Sequence, residues 1–196
     1  MSNIYEAPTA NLSDEPGADS GTPKFYVVSP LKFALLYTFT FGFYQLYWFY
    51  KNWSRYKAHT QESLWPVPRA IFTIFFAHSL FRNVNDTIEA EGRDHSWDPG
   101  TLATCYVVAQ ILNRVLDRLP DSLDTFVVPL ELFIMLPVVG TILYFAQRAI
   151  NVACGDPAGA SNSRLTWANY LWLIAGFVIL VLILLGIYAE SHGANP

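Results

Sequence analysis

Glu131 is the only charged residue in the otherwise apolar run 126–146. An ionisable group at membrane depth marks a functional site by default, usually with a partner close by. Arg114 and Arg118 in the preceding segment could supply the counter-charge, and so could His78. Together Glu131, Arg114, Arg118 and His78 form a candidate intramembrane polar site, whose chemistry would be the passage of an ion or a proton. Lying about two turns inside its helix, Glu131 also suits a structural pairing near the interface. The acidic run Asp86, Glu89, Glu91, Asp94, His95 and Asp98 has neither calcium-loop nor zinc spacing and reads as a solvated loop. Residues 155–161 lack the lysine and the strand-to-helix setting of a phosphate loop. Neither HExxH nor GxSxG occurs, and Cys105 and Cys154 offer no metal pair and no compelling disulfide. The sequence assigns no catalytic residue, no metal and no cofactor, and it points away from an enzyme.

Contact with lipid or with a partner is the other chemistry these residues suit. Residues 41–53 hold eight aromatic side chains in thirteen positions. Amphipathic rings gather at headgroup level, with the ring buried and the OH or N–H wet. Tyr47, Trp48, Tyr50 and Trp53 therefore read as an interfacial belt, and the same rings could stack on a headgroup or ligand cation. Arg148 and Arg164 bracket the loop before the last apolar run and suit lipid phosphate. Asn162 or Ser163 could cap the helix that follows. Arg82 joins His78, Asn85 and Glu89 on one polar helix face, with Phe81, Val84 and Ile88 on another.

The elements that must position these residues are helices in a membrane. Of 196 residues, 53% are apolar and 14% charged, against roughly a quarter charged in soluble domains. Mean hydropathy is +0.26. A net charge of −4 provides no basic field for nucleic acid. Three windows, 31–50, 126–146 and 165–189, supply the about 20 apolar residues of a spanning helix, and in lipid only a helix satisfies their backbone. Segments 66–91 and 101–119 are amphipathic and predict a helical hairpin. Its Cys105, Val108, Leu112, Val115 and Leu119 stripe would face the spans. Gln110, Asn113, Arg114 and Asp117 would face water or headgroups, with Arg114 and Asp117 able to pair.

The fold class expected is an all-α integral membrane protein of four or five hydrophobic helices, this amphipathic hairpin included. Residues 1–30 read as a disordered acidic tail without a secretory signal, 31–189 as the helical membrane domain and 190–196 as a short C-terminal tail. Lys51, Arg55, Lys57 and Arg69 place the loop 51–66 in the cytoplasm, and Arg148 and Arg164 ask for the same side. Both demands are met by an odd number of crossings between residues 70 and 125. Either an amphipathic helix crosses, or the first segment is a re-entrant hairpin bent near Gly42.

The string Phe41-Gly42-x-Tyr44-x-x-Tyr47-Trp48-Phe49-Tyr50-Lys51-Asn52-Trp53 resembles the opening span of a family of small, uncharacterised, multi-pass bacterial inner-membrane proteins. Pro68-Arg69, Ser79-Leu80-Phe81, Gln147-Arg148-Ala149-Ile150-Asn151 and Asn162-Ser163-Arg164 extend the resemblance. The start Asn3-Ile4-Tyr5-Glu6-Ala7-Pro8 does so too, with Ile4 where proline is usual. The resemblance implies the bacterial inner membrane and carries over no catalytic residue. The expectation is a non-enzymatic protein that binds membrane lipids or a membrane-protein partner, of accessory, scaffold or immunity type. Candidate contacts are Tyr47, Trp48, Tyr50, Trp53, Arg82, Arg148 and Arg164. The rival is a small permease or channel component that uses Glu131 in a polar path.

Overall fold

The computed structural model describes residues 22–193, and among them every regular element is helical. The helices are α1 (Pro30–Phe39), α2 (Tyr44–Thr60), α3 (Pro66–Ile71), α4 (Thr73–Ala90), α5 (Pro99–Leu116), α6 (Asp124–Leu130), α7 (Leu136–Ala153) and α8 (Trp167–Gly193). A π-helical turn, Glu131–Met135, joins α6 to α7. Its cause is local: Pro137 has no N–H to return to the Phe133 carbonyl and its ring crowds that oxygen, so the turn widens. Two helical stretches, Phe126–Ala153 and Trp167–Ala189, are long and apolar enough to cross a membrane.

The first apolar window does not form one span. Thr40 donates its hydroxyl to Leu36 O (2.7 Å) and accepts from Tyr44 N (3.0 Å), closing α1 and opening α2 with one side chain. Between them Phe41 and Gly42 adopt φ of 51° and 81°. A Cβ at Gly42 would press on Tyr37 Oη at 3.3 Å and on Leu136 at 3.4 Å, so the bend needs glycine for its backbone and for its space. Residues 31–50 are thus the two arms of a hairpin bent near Gly42, each arm too short to cross alone. Segment 66–91 is also broken, at Phe72, between α3 and α4.

Helix directions follow from paired residues. Val28 bonds Asn151, Tyr37 lies against Gly140 with no room for a Cβ, and Gly42 meets Leu136. α1 therefore runs antiparallel to α7. α4 and α5 are antiparallel, through Trp97–Asn85, His78–Thr104 and Tyr106–Thr73. Arg93, just after α4, donates to the last carbonyls of α7, Val152 O and Ala153 O, which satisfies orphan acceptors at the negative end of the helix. That end of the molecule also carries Lys32, Arg148 and Arg164. Arg114, in the last turn of α5, and Arg118, just after it, stand at the opposite end.

Residues 25–28 are not a tail. They run extended through the bundle, and Phe25 and Val28 are fully buried. Buried carboxamides replace the backbone partners that an extended segment lacks. Asn151 accepts from Val28 N (3.3 Å) and donates to Val28 O (2.9 Å); Asn52 accepts from Tyr26 N (3.0 Å); Gln147 donates to Tyr26 O (3.1 Å). Asn162 donates to Val27 O (2.9 Å). The expected acidic tail lies, from residue 1 to 21, outside the described residues. At the other terminus α8 continues to Gly193, so residues 190–193 are helix and only 194–196 lie outside.

α5 is turned the opposite way from the expectation. Its buried face is Ala103, Tyr106 and Ala109, whereas Val108, Ile111, Leu112 and Val115 are each 50–55% exposed. Small alanines allow close helix packing, and Gln110 turns inward to bond Gln45 (2.7 Å). The apolar stripe is left on the outside, where a membrane rather than a core would cover it.

Candidate functional site

Below the α1–α2 bend, the end of α5, the π turn and α8 enclose a cavity of about 500 Å³. Part of its lining is polar, with Gln45, Gln110, Asn113, Arg114, Asp117 and Glu131, and part is apolar, with Leu132, Leu136, Val139 and Ile183. The π turn starts at Glu131, whose side chain lines the space. Among the described residues Asn113 Oδ1 is a buried acceptor with no donor, which normally leaves a group's desolvation unrepaid, whereas the Glu131 carboxyl is hydrogen-bonded to Asp117. Asp117 stands beside Glu131, and Arg114 pairs with Asp117 at 3.6 Å.

Of the expected polar set, Glu131 and Arg114 meet in this cavity and Arg118 and His78 do not. His78 bonds Thr104 (3.1 Å) on the exposed side of the α4–α5 pair. Arg114 holds Asp117 rather than Glu131. That pair was legible from its i,i+3 spacing, and being exposed it contributes on the order of 0–1 kcal/mol. Gln45, Asn113 and Asp117 were missed as members of the site. Asn113 and Asp117 are signalled only by the polar stripe at the end of α5, expected to face water, and Gln45, inside the aromatic string of α2, carries no signal.

Above the cavity the interior closes. Tyr106 donates to Thr73 (2.8 Å) and lies near Gln45 (3.1 Å). Over this layer sit Trp48, Phe49, Trp53 and Phe81, each at 0% exposure. Trp48 and Trp53 therefore belong to the core and not to a lipid-facing belt. The physical reason is the α1–α2 bend, which folds one face of the aromatic string onto α1 and α7. Trp48 donates to Gln147, and Trp53 packs under the Arg69 guanidinium at 4.4 Å. Tyr47 and Tyr50 stay on the surface, with Lys51 over the Tyr47 ring. Arg82, Arg148 and Arg164 are exposed.

The last loop is built differently from the expectation. Asn162 is used against the 25–28 segment and Lys32 Nζ (2.8 Å), and Ser163 bonds Ala160 O. Thr166 caps α8 instead, exchanging hydrogen bonds with Asn169. In the polar loop after α4, partial burial and the charge of Arg148 hold His95 below the ordinary histidine range. Asp98 is held below the ordinary carboxylate range by donors from Thr101 as it caps α5. Both are local devices of the turn. No group of three or more metal-ligating side chains occurs among the described residues.

The class defined so far is an all-helical chain with two helices fit to cross a bilayer and a half-polar cavity beside them. Compared with known proteins, the chain matches no family model, no curated protein and no solved structure.

Proposed function

We propose that this chain is a non-enzymatic, multi-pass inner-membrane protein whose work is binding, and that its cavity receives a membrane amphiphile. The observation that carries this reading is the cavity's mixed lining, polar and apolar side chains together, with a buried aromatic layer above it. Taking α7 as the ruler, the α1–α2 bend reaches Leu136, near the middle of the apolar run. α1 is 10 residues long, about 15 Å, or half the hydrocarbon thickness. α1–α2 and α3–α4 then enter and leave on one side, while α5, α7 and α8 cross. A single crossing between residues 70 and 125 meets the odd number that the basic residues require, and it leaves the loops at 51–66 and 154–166 both cytoplasmic. The outward apolar stripe of α5 suits this arrangement. The polar face of α4, with Arg82, Asp86 and Glu89, is the surface available to a membrane-protein partner.

A permease would need the polar path from Glu131 to continue past Gln45, Tyr106 and Thr73. The space beyond is filled by Trp48, Phe49 and Phe81, so the geometry favours a blind binding site over a conduit. The test is purification of the full chain from its membrane in a mild detergent, with native mass spectrometry of what it retains. One amphiphile per chain is expected, lost when Ala34, in an apolar cleft of about 590 Å³ between α1, α7 and α8, is changed to Trp. Chains that carry nothing, or whose bound molecules are indifferent to Ala34→Trp, would overturn the reading.

A further inference from the structure

Lys32, in the first turn of α1, is a buried cation, only 5% exposed. Its Nζ donates to Asn162 Oδ1 (2.8 Å) and to the Arg164 carbonyl (2.7 Å). Both acceptors are neutral, and Lys32 pairs with no carboxylate among the described residues. An ammonium has three N–H donors, so one donor and the whole positive charge are left over. A buried charge without a counter-charge is costly. The loop that meets Lys32 does not supply one. Its carboxylate, Asp156, is taken up by Ala160 N (2.9 Å) and Ser161 N (2.8 Å). Asn162 is locked at its other end by the Tyr26 hydroxyl (3.3 Å) and Val27 O (2.9 Å).

Two helix ends add to this positive field. Phe39 and Gly176 meet where α8 crosses α1, and each is the tenth residue of its helix. The N-termini of α1 and α8 are therefore level, and the contact of Lys32 with the Arg164 carbonyl ties them together. Neither first turn holds an acidic residue, although a negative charge is favoured there and a cation disfavoured. The negative end of α7, at the same end of the molecule, is already covered by Arg93. The Arg164 side chain is exposed at the rim and pairs with no carboxylate among the described residues. What this group of charges lacks is an anion with several acceptor oxygens.

We infer that Lys32 and Arg164, with the N-termini of α1 and α8, form a site for the phosphate of an anionic phospholipid in the cytoplasmic leaflet. Phosphate oxygens accept from the third Lys32 N–H and suit the Arg164 guanidinium. A zwitterionic head would add a second cation for which the site has no carboxylate, so the selection is for net negative charge. This rests on the membrane setting proposed above, which puts both N-termini at headgroup level, but not on the cavity beneath the α1–α2 bend. Being open at Arg164, the site exchanges its lipid in detergent and is therefore read in a bilayer.

The experiment uses the full chain with Cys105 and Cys154 replaced and a fluorophore at position 31, where Leu31 is 71% exposed beside Lys32. In phosphatidylcholine vesicles, quenching is compared for nitroxide-labelled phosphatidylglycerol and nitroxide-labelled phosphatidylcholine. Phosphatidylglycerol is expected to quench at the lower mole fraction. Lys32→Met and Arg164→Gln should each reduce that preference roughly fivefold, as for one cation at headgroup level. Arg164→Gln keeps the carbonyl that Lys32 uses, so it separates loss of the anion from loss of the loop contact, and Lys32→Arg should retain the preference. Lys57→Met removes an exposed cation of α2 and should change little. An unchanged preference in Lys32→Met and Arg164→Gln, or an equal loss in Lys57→Met, would overturn the site and leave the membrane setting standing. Displacement of the labelled phosphatidylglycerol by inorganic phosphate, but not by chloride at equal ionic strength, would overturn the lipid as occupant. Quenching by neither lipid would overturn the membrane setting itself.

Discussion

Changing Asn151 to Leu will release the N-terminal segment from the bundle and destabilise the protein more than any other single buried polar substitution. Leucine is close in size, so the loss is one of hydrogen bonds rather than of volume. Asn151 closes both the N–H and the C=O of Val28 and also accepts from Gln147 (2.7 Å). Val28 is fully buried, so no water replaces these partners. Each orphaned buried group costs about 1–3 kcal/mol, which for the two backbone groups gives roughly 2–6 kcal/mol. Two readouts check it. Thermal unfolding in detergent should move to lower temperature, and trypsin should cut after Lys24, beside a segment that wild type holds shut. Wild-type resistance at Lys24 together with an unchanged melting temperature would show that the carboxamide clamp is not what retains residues 25–28.

The second large effect is expected at Gly176, where α8 crosses α1. A Cβ built there lands on the Phe39 carbonyl oxygen, with the Phe39 carbonyl carbon at 2.7 Å and its Cα at 3.1 Å. All three are backbone atoms, which have no rotamer to change. Gly176→Val therefore has to lift α8 off α1. Overpacking generally costs about 1–3 kcal/mol, and a backbone obstacle belongs at the upper end. For a chain of this size that is a melting shift of roughly 5–10 °C. Because Leu180 and Ile183 of α8 line the two cavities, the same variant should lose lipid retention. Gly186→Ala, with an open environment, should leave both unchanged or gain slightly through helix propensity.

How much of this was legible in the sequence depends on which force decided each element. The helices at 126–153 and 167–189 were readable because their composition alone sets them: both are long and apolar enough to cross a membrane. The polar face of α4 and the Arg114–Asp117 pair were readable because helical periodicity fixes them. The bend at Gly42 stood among the alternatives, since glycine marks it, but its necessity comes from Tyr37 and Leu136, far away in sequence. Trp48 and Trp53 were misplaced for the same reason. An aromatic string at a helix end looks alike whether it faces headgroups or is folded onto a neighbour. The facing of α5 is inverted because small and polar residues make its helix contacts and its apolar side is left exposed, the arrangement that the proposed membrane setting favours. The extended segment at 25–28 left almost no trace. Its partners Asn52, Gln147, Asn151 and Asn162 lie 26 to 135 positions downstream, and a single sequence does not pair them.

Everything proposed for the cavity requires that the α1–α2 bend lie within the bilayer. Phe43 sits at that bend and is 74% exposed, so a spin label placed there reports depth without disturbing the core. With Cys105 and Cys154 replaced, single labels at positions 43, 57 and 118 in lipid vesicles would be compared for collision with oxygen and with a water-soluble nickel chelate. Position 43 is expected to be reached by oxygen and shielded from nickel, while 57 and 118 are open to nickel. A label at 43 as open to nickel as the label at 57 would contradict it, placing the hairpin and the polar cavity beneath it outside the membrane.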